Sequence, residues 1–302
     1  MARAVALLRE HPLLTPLLVV YAAILVLGGI FEFGPLLALV NLILLAAYVS
    51  VIHFATRGRQ LPMPAADPPN RRSRDIGLAI TVAVLQIAGV LVFWLVIIPH
   101  GVLVSWAAHI KAAGIPPLVA TTAANAALGV LLLLIPTLVA ITAFRVSPRE
   151  AGLTATKPDL ALGIVLAAIG VGLGWGAVAA GNHPGLLWES APIPIVAAAI
   201  TLQSLVNGIP EELAFRGVIF GRLLPWLGRP GNSLALSTMV FGLYHVPLLV
   251  VGSRLPIWEA LPVALFGTLP GLVLGYLFYR TRSIWPGAIW HTSITGVGLM
   301  FA

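Results

Sequence analysis

The chain has 302 residues, 59% of them hydrophobic and 9% charged, with a formal net charge of +7 and no cysteine. Lack of cysteine excludes disulfides, thiol nucleophiles and cysteine metal ligands. The basic excess lies in short loops between apolar runs, a membrane-topology signature that calls for no nucleic-acid partner.

Those apolar runs are about 18–25 residues long, enough to cross a ~30 Å hydrocarbon layer as helices. The pattern predicts an all-α, polytopic transmembrane helix bundle of eight to nine spans with no separate aqueous domain. Taken as nine, the spans fall near 12–33, 36–55, 76–98, 118–143, 160–180, 193–222, 232–250, 259–279 and 284–301. Arg3 and Arg9 precede a first run too long for a signal-peptide core and closely followed by a second, so it reads as a retained helix. Thr56–Asp75, rich in Pro and Arg, reads as an irregular linker. It divides an N-terminal hairpin, residues 1–75, from a core at 76–302. Fourteen of the 17 Lys and Arg residues fall on one side of this arrangement. Lys111 and Arg254 fall on the other, and Arg216 lies within a span. The positive-inside rule then puts the N-terminus in the cytoplasm. The preference for Arg over Lys, with abundant Ala, Gly and Pro, points to a GC-rich bacterial genome and an inner (plasma) membrane location.

The sixth span carries the unusual chemistry. Thirty residues would extend ~45 Å as one helix, and Pro210, after Asn207-Gly208, is expected to kink or open it. Glu211, Glu212 and Arg216 follow, each costing on the order of 2.5–3.5 kcal/mol inside a bilayer unless compensated. In an ideal helix Glu212 and Arg216 share a face and can pair. Glu211 is rotated by about 100° and can point into a polar cavity. His245 and His291 lie in later apolar spans, at helical depths that let them converge with Glu211 in the inner half of the membrane. A carboxylate buried in apolar surroundings has its pKa raised toward that of a useful general base. One imidazole can help hold a water, and another can donate to an oxyanion. Glu211, His245 and His291 equally form a His₂Glu set suited to zinc. Either scheme hydrolyses a bond presented within the membrane; intramembrane Glu and His also build proton relays.

Glu211-Glu212-Leu213-Ala214-Phe215-Arg216, Phe241-Gly242-Leu243-Tyr244-His245 and the run from Ser283 into His291 occur in the order and form of three motifs, EExxxR, FxxxH and HxxxN. Across about residues 160–302 the chain resembles the CAAX-protease and bacteriocin-processing (CPBP, or Abi) family of intramembrane proteases. The resemblance implies an endopeptidase acting on a membrane-associated peptide or protein. By position, Glu211 would activate water with His245, Glu212 would assist, Arg216 would orient the site and His291 would stabilise the oxyanion. Family members are described both as metalloproteases and as metal-independent glutamate proteases, which leaves a divalent metal such as zinc open. The third motif departs from the family pattern: Thr295 stands where Asn or Asp is usual, so a hydroxyl replaces the amide. Two alternatives follow, a non-catalytic relative serving as a membrane immunity factor or scaffold, and a proton-coupled transporter. Transporters of that kind pair broken helices in matching halves, which this sequence does not show.

Overall fold

The computed structural model describes residues 12–31, 35–59, 69–179, 191–267 and 269–300. The expectations for Arg3, Arg9 and linker residues 60–68 fall outside them. The regular structure of the described residues is helical throughout. Arg72–Ile97, Pro117–Ala143, Ile193–Leu227, Pro230–Gly252 and Ile257–Thr281 are long and apolar enough to cross a membrane. They coincide with five of the expected spans. Ile80, Val84, Val139 and Ile164 are each more than half exposed, an arrangement that suits lipid because hydrocarbon does not penalise outward-facing aliphatic side chains.

Two compact units divide the chain: residues 1–84 with 215–282, and residues 85–214 with 283–302. In the first, α1 (Leu14–Phe31) pairs with α2 (Pro35–Thr56). The helix α3 begins at Pro69, seven residues before the expected start at Ile76, and runs to Val92. Proline suits a first helical turn because its missing N–H is not needed there. The Arg-rich stretch at 71–74 is therefore helical, where an irregular linker was expected. Later in the chain come α4 (Val102–Ala112), α5 (Pro117–Gly129), α6 (Ile135–Ala143), α7 (Lys157–Ala179), α8 (Ile193–Gln203), α9 (Gly221–Leu227), α10 (Pro230–Pro247), α11 (Ile257–Gly267), α12 (Leu269–Thr281) and α13 (Trp285–Met300). α12 packs on α2 and α10 within the first unit. Arg280 Nε donates to Thr56 Oγ1 at 2.8 Å and Nη2 to Thr56 O at 2.5 Å. A guanidinium thus caps the carbonyl end of α2, where the helix dipole favours positive charge.

In the second unit α13 packs along α7, and α5 lies against α4 and α8. The start of α13 is pinned by two bonds: Ile284 N–H donates to Gly152 O at 2.9 Å and Trp285 Nε1–H to Leu153 O at 2.9 Å.

Pro210 does not open its helix. The chain stays helical from Ile193 to Leu227, with widened π turns at Ser204–Gly208 and Glu212–Phe220. In an α-helix the ring of Pro210 would clash with the carbonyl of Val206, and its nitrogen has no proton to donate. Widening the backbone ahead of Pro210 removes that clash. The carbonyls of Leu205 and Val206 then press on α5 at Gly129, where a Cβ would sit 2.6 and 2.8 Å from the two oxygens. A glycine there makes room for the displaced backbone.

Candidate active site

The second unit builds its polar centre from the π-turn region and α13. Glu211 and Glu212 are 5% and 1% exposed, and His291, on α13, is 8% exposed. His291 Nδ1 lies 3.0 Å from Glu212 Oε1, and Nε2 lies 3.6 Å from Glu211 Oε2. The 3.0 Å contact has hydrogen-bond length and the 3.6 Å contact does not. One imidazole therefore spans two adjacent carboxylates, anchored to Glu212 and facing Glu211. Two carboxylates in low dielectric repel each other, and an Nδ1–H donated to Glu212 offsets part of that repulsion.

The backbone around this group is tight. Gly208 lies against α13, and a Cβ on it would collide with Thr292 Oγ1 and come 3.2 Å from Ala288 O. Thr292 Oγ1 is buried and has no hydrogen-bond partner among the described residues. Thr295 Oγ1 lies 3.0 Å from His291 O, 3.3 Å from Thr292 O and 3.4 Å from Asn207 Oδ1. A hydroxyl has one proton, and the shortest of these contacts directs it to a carbonyl of its own helix.

Arg216 and His245 belong to the first unit. The Arg216 guanidinium lies 4.3 Å from the centroid of the Phe241 ring and 3.4 Å from Gly271 O. Cation and ring attract each other, which offsets part of the cost of a buried charge. Ser237 Oγ donates to Phe215 O at 2.9 Å, bonding a carbonyl in the π-turn stretch. His245 Nδ1 lies 2.8 Å from Phe241 O, and Phe241 and Tyr244 present their rings nearly perpendicular to the imidazole at 4.7 and 5.0 Å. A carbonyl accepts only, so Nδ1 carries a proton and donates it to Phe241 O.

Residues 193–297 match a family model, Rce1-like, described as Type II CAAX prenyl endopeptidase Rce1-like. That stretch is thus an Rce1-like domain, in agreement with the resemblance to the CAAX-protease family read from the sequence. No curated protein and no solved structure matches the chain. The Rce1-like domain contains Glu211, Glu212, Arg216, His245, His291 and Thr295. It begins later than the resemblance in the sequence, at 193 and not near 160.

The His₂Glu zinc set finds no support among the described residues. With Nδ1–H donated to Glu212, a neutral His291 keeps its Nε2 lone pair on the side that faces Glu211. Among the described residues no group of three His, Asp or Glu side chains is placed to hold a metal ion. Asn207 is the residue that sequence reasoning treated only as part of a break before Pro210. The structure puts its side-chain oxygen beside Thr295, so a side-chain amide lies next to the position where the third motif lacks one. Its spacing, four residues before Glu211, is the signal that could have revealed it.

Proposed function

We propose that the chain is an intramembrane endopeptidase that hydrolyses a peptide bond of a membrane-associated peptide or protein, using a water activated by Glu211. The observation that carries this is the buried group of Glu211, Glu212 and His291 within the Rce1-like domain. Glu211 accepts a proton from water, and the resulting hydroxide attacks the scissile carbonyl. The tetrahedral intermediate collapses as the proton passes to the leaving amine, so Glu211 ends as it began. His291, held through Nδ1 by Glu212, presents Nε2 toward Glu211. A proton resting there forms an ion pair with Glu212 and avoids an isolated cation. His245 offers a neutral Nε2 acceptor, which suits the shared-water role of the second motif. Arg216 keeps its orienting role from the first motif. The Asn207 amide, next to Thr295, supplies the N–H donor for the oxyanion that threonine's committed hydroxyl does not.

The same reading takes the chain as a nine-span protein of a bacterial inner membrane with its N-terminus in the cytoplasm. Residues 1–75 form an accessory hairpin and 76–302 the protease core. Wild type and Glu211→Gln are compared on a panel of membrane-inserted peptides. Cleavage by wild type and its loss in the variant are expected; equal cleavage by both removes Glu211 from its role.

A further inference from the structure

A second polar site lies in the first unit, built from residues the proposed reaction does not use. A cleft of about 240 Å³ is lined by Arg72, Asp75, Arg222 and the turn Pro225–Gly228. Arg72 opens one membrane-crossing stretch, and Leu227 closes another. The cleft therefore sits where two hydrophobic helices end, at the level of lipid headgroups. Half-buried Trp226 in its wall suits that interface.

Among the described residues that line the cleft, two are cations and one is an anion. Asp75 and Arg222, 2% and 5% exposed, meet through Oδ1 and Nη1 at 3.4 Å. This is long for a charge-assisted pair, which closes to about 2.7–2.9 Å. Asp75 Oδ2 is buried with no hydrogen-bond partner among the described residues, and a buried acceptor left unfilled is destabilising until a donor reaches it. Arg72 is exposed, with Nη2 donating to Trp226 O at 3.1 Å. Two guanidinium groups thus face one carboxylate. Burial, and then the Arg222 cation, lowers the pKa of Arg282.

A cleft with surplus cations and one unfilled acceptor selects a particular ligand. It must bring an anion for the arginines and a hydrogen-bond donor a few bonds away for the carboxylate. The volume equals about eight waters at ~30 Å³ each, enough for a phosphate and a short headgroup. We propose that this cleft binds the phosphodiester of a membrane phospholipid whose headgroup carries a donor, hydroxyl or ammonium. Arg72 and Arg222 take the phosphate, and Asp75 Oδ2 takes the donor. Phosphatidylglycerol and phosphatidylethanolamine meet both requirements. Phosphatidylcholine, whose headgroup has no donor, meets one.

The test is native mass spectrometry of the full chain released from nanodiscs holding the three lipids in equal amounts, with a parallel arm adding inorganic phosphate. Phosphatidylglycerol and phosphatidylethanolamine should be retained about tenfold over phosphatidylcholine, a difference of about 1.4 kcal/mol. Arg72→Gln, a change at an exposed position, should lower retention of both about five- to tenfold. Asp75→Asn turns the free oxygen into a donor and should erase the discrimination against phosphatidylcholine. Equal retention of all three lipids by wild type, or an Arg72→Gln variant that binds as wild type does, overturns the proposal. Displacement of bound lipid by inorganic phosphate at equal concentration shows a free-anion site and overturns the lipid assignment. Should Asp75→Asn fail to fold, the Arg72→Gln comparison still decides.

Discussion

Gly208→Ala tests the geometry on which the proposed chemistry depends. The added Cβ would occupy the space of Thr292 Oγ1 and press on Ala288 O at 3.2 Å. Both atoms belong to α13, the helix that carries His291. Overpacking of this kind typically costs about 1–3 kcal/mol, and the strain is relieved by pushing the π turn and α13 apart. A displacement near 1 Å between reacting groups can cost about 10²-fold in rate. The His291–Glu211 approach, 3.6 Å at present, has little reach to spare. Turnover should therefore fall about a hundredfold while the protein stays folded with a modestly lower melting temperature. Thr292→Ala removes the obstructing oxygen, whose own hydrogen bond is missing, so alone it should change stability by less than about 1 kcal/mol. Combined with Gly208→Ala it should restore most of the activity, giving a coupling of at least about 1 kcal/mol between the two sites. Peptide cleavage and thermal unfolding are measured for all four proteins of the cycle. A Gly208→Ala enzyme with wild-type kcat, or a double variant no better than the single, would refute the argument that close packing here sets the catalytic distance.

Other outcomes follow from the same contacts. Asn207→Ala should lower kcat by about 10²–10³, the usual loss for one oxyanion donor. Adding Thr295→Asn to that variant should recover part of the loss; full activity in Asn207→Ala alone refutes the donor role. Exhaustive chelation should leave peptide cleavage unchanged, because among the described residues no three His, Asp or Glu side chains are placed to hold a metal ion. Activity lost on chelation and regained with zinc would show that the site rearranges around a metal. Gly129→Ala places a methyl against the carbonyls of Leu205 and Val206. It should destabilise the protein by about 1–3 kcal/mol, and an unchanged melting temperature would mean that the π turn has room to spare.

The helical class and five membrane-crossing stretches were legible from hydropathy because the bilayer admits so few backbone solutions. The details that decide the site were not, and the reason is local. A proline after two polar residues reads as a break when helices are taken to be α throughout. A π turn lets the same proline remain in a continuous helix, provided a neighbour lacks a side chain where the carbonyls swing out. That neighbour, Gly129, is 81 positions away in sequence and carries no signal of its own. The partner of Glu212 was hidden for a related reason. Four-residue spacing points to Arg216, and the further contact to His291 joins residues 79 apart. No helical periodicity encodes that pairing; it depends on α13 being tied at its start to Gly152 and Leu153. Thr295 shows the converse. Judged alone it is a weakened copy of an amide position, but it abuts Asn207, which arrives on the π turn made necessary by Pro210. The proline that was expected to break the helix is thus what brings a side-chain amide back to the site.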